Sequence, residues 1–196
     1  MTKHPPYALN VYSPDWQDHD RKNREWIAAA TPLVAKHEAV LKPALTRAFD
    51  TPWEKHPIRV EMIYVTNASA YTAIFPTLIT VSSSSPRTAG PAMVEVLFHE
   101  SSHALIVKAR DELSKEARNR KTELPYPDLW HALLFYTNSE IVRKQLPELE
   151  PYANKLLAIS ALSVSHAARE DWIHVACKNS RARACRDLRI NSRPIP

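Results

Sequence analysis

Glycine is almost missing from this chain: Gly90 is the single example in 196 residues. That scarcity excludes glycine-rich phosphate loops, since GxGxxG and Walker A motifs both need glycines where backbone amides close on a phosphate. Nucleotide binding loses its main support there. Turns must rest instead on Asn, Asp, Ser and the 16 prolines. Cysteine is nearly as scarce. Cys177 and Cys185 lie close together near the C-terminus with only His174 nearby; they form neither a disulfide framework nor a complete zinc ribbon, and read as incidental thiols. Long hydrophobic runs are lacking too. No stretch approaches the ~18 apolar residues of a membrane span, and the opening MTKHPPYALNVYSPDW has no apolar signal core. The expectation is a cytoplasmic protein without a membrane span.

What remains is ordinary for a globular chain, with 44% hydrophobic and 24% charged residues. There is no internal repeat. The net charge of +5 is unevenly placed: from Arg169 onward seven Lys/Arg face three Asp/Glu, and CKNSRARACRDLRINSRPIP shows no period. The expected organisation is a single domain over 1–168 followed by a basic, disordered tail over 169–196. A basic tail also suits a nucleic-acid or membrane surface. Its few aromatics argue against a stacking platform.

Periodicity orders the rest. From about Asp18 to Phe49, Trp26, Ile27, Ala30, Leu33, Val34, His37, Val40, Leu41, Leu45 and Phe49 fall at helical spacing, with Pro32 and Pro43 expected to kink or divide the helix. PIRVEMIYVT alternates as a strand, Ile58, Val60, Met62 and Tyr64 on one face against Arg59 and Glu61. AYTAIF and TLITVSSSS read as one or two further strands, and Pro76 between them points to a sheet edge. A helix starting near Pro91 is expected to run through PAMVEVLFHESSHALIVKAR into the charged KARDELSKEARNRK, its first half buried on all sides. Another helix begins near Asp128 and ends at Pro147, and KLLAISALSVSHAAREDWIHVA reads as a last one. A helix, a few strands, then helices make an α+β domain.

Inside the most apolar helix stands HESSH, His99 to His103. Histidines four apart share a helix face, with Cβ atoms ~5–6 Å apart, so both can reach one ion. Tetrahedral zinc accepts imidazole nitrogen. Glu100 stands beside the metal rather than facing it, where a base acting on metal-bound water belongs, and HExxH on a helix carries that mechanism. The bland alternative makes both histidines neutral, hydrogen-bonded core residues. Glu95, one turn before His99, reads equally as an orienting partner for a ligand imidazole or as an acid favoured by the helix dipole.

A catalytic zinc keeps three protein ligands and an open position. The helix after Pro127 offers His131 and Glu140, nine positions apart and so nearly opposite one another. His131 shares its face with Leu134, Phe135, Asn138 and Val142, the inward side, which favours it as third ligand; Asp128 is placed to hold its free ring nitrogen. Glu140 lies with Leu133, Tyr136, Arg143 and Lys144 on a mixed face.

VLFHESSHALI resembles the active-site helix of the zincin metallopeptidases, and the likeness covers about residues 57–144. WHALLFYTNSE is similar to a later segment of a bacterial family within that group. The resemblance implies a zincin-like fold, in which a small mixed sheet with a substrate-binding edge strand precedes the buried active-site helix and further helices. It implies Zn2+ as cofactor, His99 and His103 as ligands, and Glu100 as general base. Many zincins take the third ligand from a glutamate on a later helix, which favours Glu140; but the acidic residue often found four positions on is here Lys144. The implied activity is zinc-dependent hydrolysis of peptide bonds in a peptide or protein substrate, Glu100 activating a zinc-bound water, with Tyr136, Tyr71 or a histidine as oxyanion donor. An extended substrate would pair with AYTAIF or TLITVSS. The competing reading is a non-catalytic metal-binding protein, or a nucleic-acid-associated protein using its basic tail.

Overall fold

A computed structural model describes residues 6–64, 70–119, 121 and 129–149, with side chains from Pro14 onward in the first helix. The expected last helix, both cysteines, Asp128 and the basic tail lie outside the described residues. Four α-helices and a small mixed sheet follow one another as α1 (Pro6–Phe49), β1 (Arg59–Ile63), β2 (Ala70–Ala73), β3 (Leu78–Ser82), α2 (Ala92–Ser102), α3 (Val107–Asn119) and α4 (Leu129–Gln145). Single 3-10 turns cover Pro86–Thr88 and Pro147–Leu149. This is the α+β arrangement expected. No described helix is long and apolar enough to cross a membrane.

α1 starts earlier than its apolar stripe and runs unbroken through Pro14, Pro32 and Pro43. The expected division does not occur. Pro14, Pro32 and Pro43 are all exposed, and so are Ala28 and Ala39, the residues four positions before Pro32 and Pro43. A proline leaves the carbonyl four residues back without its amide; on a solvent-facing side, water takes that place at little cost.

The sheet order is β1-β3-β2. β1 runs parallel to β3 with Val60 opposite Ile79, and β2 runs antiparallel to β3 with Thr72 opposite Ile79. TLITVSS is therefore the central strand, with neighbours on both sides, and cannot accept a further strand. β2 is an edge, as Pro76 after AYTAIF suggests. β1 is the other edge, and its alternation is looser than the sequence implies: Val60 is 40% exposed although Met62 packs inward.

α2 explains why its sequence is apolar all round. Met93 and Leu97, one turn apart, pack with Ile79, Val81, Trp26 and Ala30 between the sheet and α1. Val94 and Phe98, rotated by one position, enter a second cluster with Leu41, Leu45, Phe49, Leu134 and Val142 from α1 and α4. Rotated again, Glu95 reaches α4 and His99 stacks on Phe135 there. From Met93 to Glu100 every residue is buried, so each polar side chain in that stretch must find a partner inside the protein.

Two details fix where α2 begins and ends. Gly90, at φ 59°, takes the left-handed turn before Pro91, a conformation open to glycine without strain. At the other end the expected single helix into KARDELSK breaks at residues 103–106, a run of turns separating α2 from α3. Ser101 Oγ donates to the Leu97 carbonyl and Ser102 Oγ to the Phe98 carbonyl, both at 2.7 Å. Two consecutive serines bonding back one turn compete with the amides that would extend the helix and bend it there. Leu105 and Ile106, both amides on the Ser102 carbonyl, then tuck into the helical core.

Candidate metal centre

α2 supplies His99 and His103, the latter at its C-cap, while α4 supplies His131 from its first turn. Each imidazole offers one nitrogen, and the three ligand atoms lie within 4.8 Å of one another. Ring centroids are 5.2 Å apart for His99 and His103, 5.5 Å for His99 and His131, and 5.2 Å for His103 and His131. Tetrahedral zinc with ~2.05 Å bonds sets its ligand nitrogens about 3.3 Å apart, so the three rings would have to draw together around it. The donor chemistry, three imidazoles, suits zinc.

His99 is 4% exposed, and neither of its ring nitrogens has a hydrogen-bond partner among the described residues. The core-histidine alternative requires such bonds, and for His99 none is made among the described residues. Burial, and secondarily the nearness of His103 and His131, pushes the His99 pKa well below its ordinary value. Burial and then His131 bring His103 down to about 4. Both rings are therefore neutral at pH 7, the state in which imidazole ligates metal. The walls are aromatic: Phe135 stacks on His99 with centroids 3.9 Å apart, and Trp130 lies 5.1 Å from His131 and 5.8 Å from His103.

Glu100 lies beside this group. One carboxylate oxygen is 3.7 Å from His103 Nε2, which is no ion pair because that ring is neutral. The same oxygen accepts a 2.7 Å hydrogen bond from the Thr72 hydroxyl on β2. Burial raises the Glu100 pKa above the usual carboxylate range, and the Thr72 bond partly offsets this. The site thus draws on three elements, and β2 enters it through a residue the sequence reading did not single out. The available signal was the alternation of AYTA: Ala70 and Thr72 are half-buried while Tyr71 and Ala73 are exposed, so Thr72 faces the helix and Tyr71 faces away from Glu100.

Glu140 does not join the histidines. Arg143 holds its carboxylate with two bonds, 2.7 and 3.0 Å, and Lys144 stands 3.8 Å away. Nor does Glu95 orient a ligand ring. It is 2% exposed, accepts from the Ser139 hydroxyl through one oxygen, and leaves the other without a partner among the described residues. Asn138, fully buried, donates to the Glu95 carbonyl at 3.3 Å. Burial raises the Glu95 pKa to about 7, against the smaller opposing effect of the Ser139 bond.

Comparison of the chain with protein-family models, curated proteins and solved structures finds no match.

Proposed function

We propose that the protein is a zinc-dependent metallopeptidase in which His99, His103 and His131 hold the ion and Glu100 is the general base. The observation that supports this most strongly is the convergence of three imidazoles on one point, one of them buried with both nitrogens unpartnered, beside a buried carboxylate. A bound zinc supplies Lewis-acid polarisation of a carbonyl and lowers the pKa of water toward ~7. Glu100, on the Thr72 and His103 side of the triad, takes a proton from water at its free carboxylate oxygen and returns it to the leaving amine. Trp130 and Phe135 shield the site from bulk water, which strengthens each charge interaction within it. An extended substrate pairs along β2, the edge beside Glu100.

Metal analysis of the purified protein tests this. The parent should carry about one zinc per chain, the number a single three-histidine site holds. His99→Ala and His131→Ala should lose it and Glu140→Ala should keep it. Glu100→Gln should retain zinc and lose peptidase activity by about 100-fold or more. If Glu140→Ala strips the metal while His131→Ala does not, the ligand assignment is wrong. A zinc-loaded parent without hydrolytic activity on peptide libraries refutes the enzyme reading and leaves a metal-binding protein.

A further inference from the structure

The Thr72 hydroxyl meets Glu100 twice: it lies 2.7 Å from the carboxylate Oε2 and 3.1 Å from the main-chain carbonyl of the same residue. The second contact follows from the helix break. With α2 ending at Ser102, the Glu100 carbonyl belongs to the last turn, where it takes the His103 amide at 3.2 Å in a tightened bond. Carbonyls at a helix C-terminus need outside donors, and Thr72 reaches this one from the neighbouring strand. The register allows it, because β2 turns Thr72 toward α2 and its main chain is held by β3 at Ile79. The single hydroxyl proton of Thr72 is shared between these two acceptors, with the shorter contact to the carboxylate, which fixes which carboxylate oxygen is spoken for and which is free.

We propose that Thr72 is a positioning residue that holds Glu100 in its working rotamer, so that the edge strand and the general base move as one unit. This rests on the peptidase reading above. A strand carrying substrate on its outer edge would thereby carry the base in register with the scissile bond. A purely structural role would confine the effect of Thr72 to stability.

The test uses Thr72→Val, which keeps the shape and removes the hydroxyl, and Thr72→Ser, which keeps the hydroxyl. In the zinc-loaded enzyme, Thr72→Val should lower kcat about ten-fold with KM and zinc content unchanged, an amount equal to about 1.4 kcal/mol of barrier. Thr72→Ser should restore most of the loss. A second readout does not depend on activity. In urea unfolding of the metal-free protein, Thr72→Val should lower the midpoint in the parent and lower it less in a Glu100→Ala background, where only the contact with the main-chain carbonyl of residue 100 is left to lose. Equal midpoint losses in both backgrounds would overturn the contact. A coupled midpoint with unchanged kcat would overturn the positioning role and leave a structural bond. A zinc-loaded parent that hydrolyses no peptide defeats the peptidase reading itself, and this inference with it, whereas an active parent indifferent to Thr72→Val defeats only the inference.

Discussion

Glu95→Gln should make the metal-free protein more stable relative to the parent at alkaline pH, and leave the two alike near pH 5. Glu95 is 2% exposed, with one carboxylate oxygen bonded to Ser139 and the other unpartnered among the described residues. Its pKa rises from 4.5 to about 7, chiefly because burial disfavours the charge. Between those values the unfolded chain has released the proton while the folded one still holds it. Stability from this group is therefore complete below the unfolded value of 4.5 and is lost as pH rises through about 7. At about 1.36 kcal/mol per pH unit the whole span is roughly 3 kcal/mol, of which roughly 2–3 kcal/mol falls between about pH 5 and pH 8. The amide introduced by the substitution keeps an acceptor for Ser139 and never ionises, so the variant escapes that loss. Urea unfolding of chelator-treated parent and variant across roughly pH 5 to 8, the window in which the two states differ in bound protons, measures it. Parallel stability curves for the two proteins would show that Glu95 is not held neutral by its surroundings, and would refute the reasoning.

His103 should act with the opposite sign. Its pKa in the fold is about 4, lowered from 6.5 by burial and then by His131, so metal-free protein loses on the order of 3 kcal/mol as pH falls between those two values, measurable as a falling urea midpoint. Zinc added to metal-free protein should change tryptophan emission, and the change should vanish in Trp130→Phe but persist in Trp16→Phe, because Trp130 lies 5.1 Å from His131 while Trp16 is 54% exposed on α1. At free zinc about 1,000 times the dissociation constant, the melting temperature should rise by roughly 8–16 °C, corresponding to about 4 kcal/mol in a domain of this size. Leu134→Ala, at a site with no exposure, should cost about 2–5 kcal/mol of unfolding free energy, read from urea denaturation.

The order of elements was readable because each carries a period its surroundings enforce. Leu41, Leu45 and Phe49 face one core, and Met93 with Leu97 the other. The departures share a cause: the sequence does not say where solvent lies. Pro32 and Pro43 do not interrupt α1 because the carbonyls they leave unpaired stand on its outer side. The break after Ser102 carries neither glycine nor proline; it coincides with the back-bonding of Ser101 and Ser102 and with the entry of Leu105 and Ile106 into the core, which no breaker residue announces. At the site, the grouping of His99 with His103 follows from helical spacing alone. Placing His131 beside them needs the packing of α4 on α2, which the inward face shared with Leu134 and Val142 suggests. Thr72 lay beyond reach, since nothing local tells a strand residue which helix end it will meet.

The three imidazoles come from segments separated by the chain between His103 and His131, with α3 in between. An ion seated there would act as a clip across that long loop in the folded state, and the free energy of its binding would be the stabilisation it brings. Chelation would then act twice, removing the Lewis acid and leaving α4 held to α2 by the shared core and the Glu95 bonds alone.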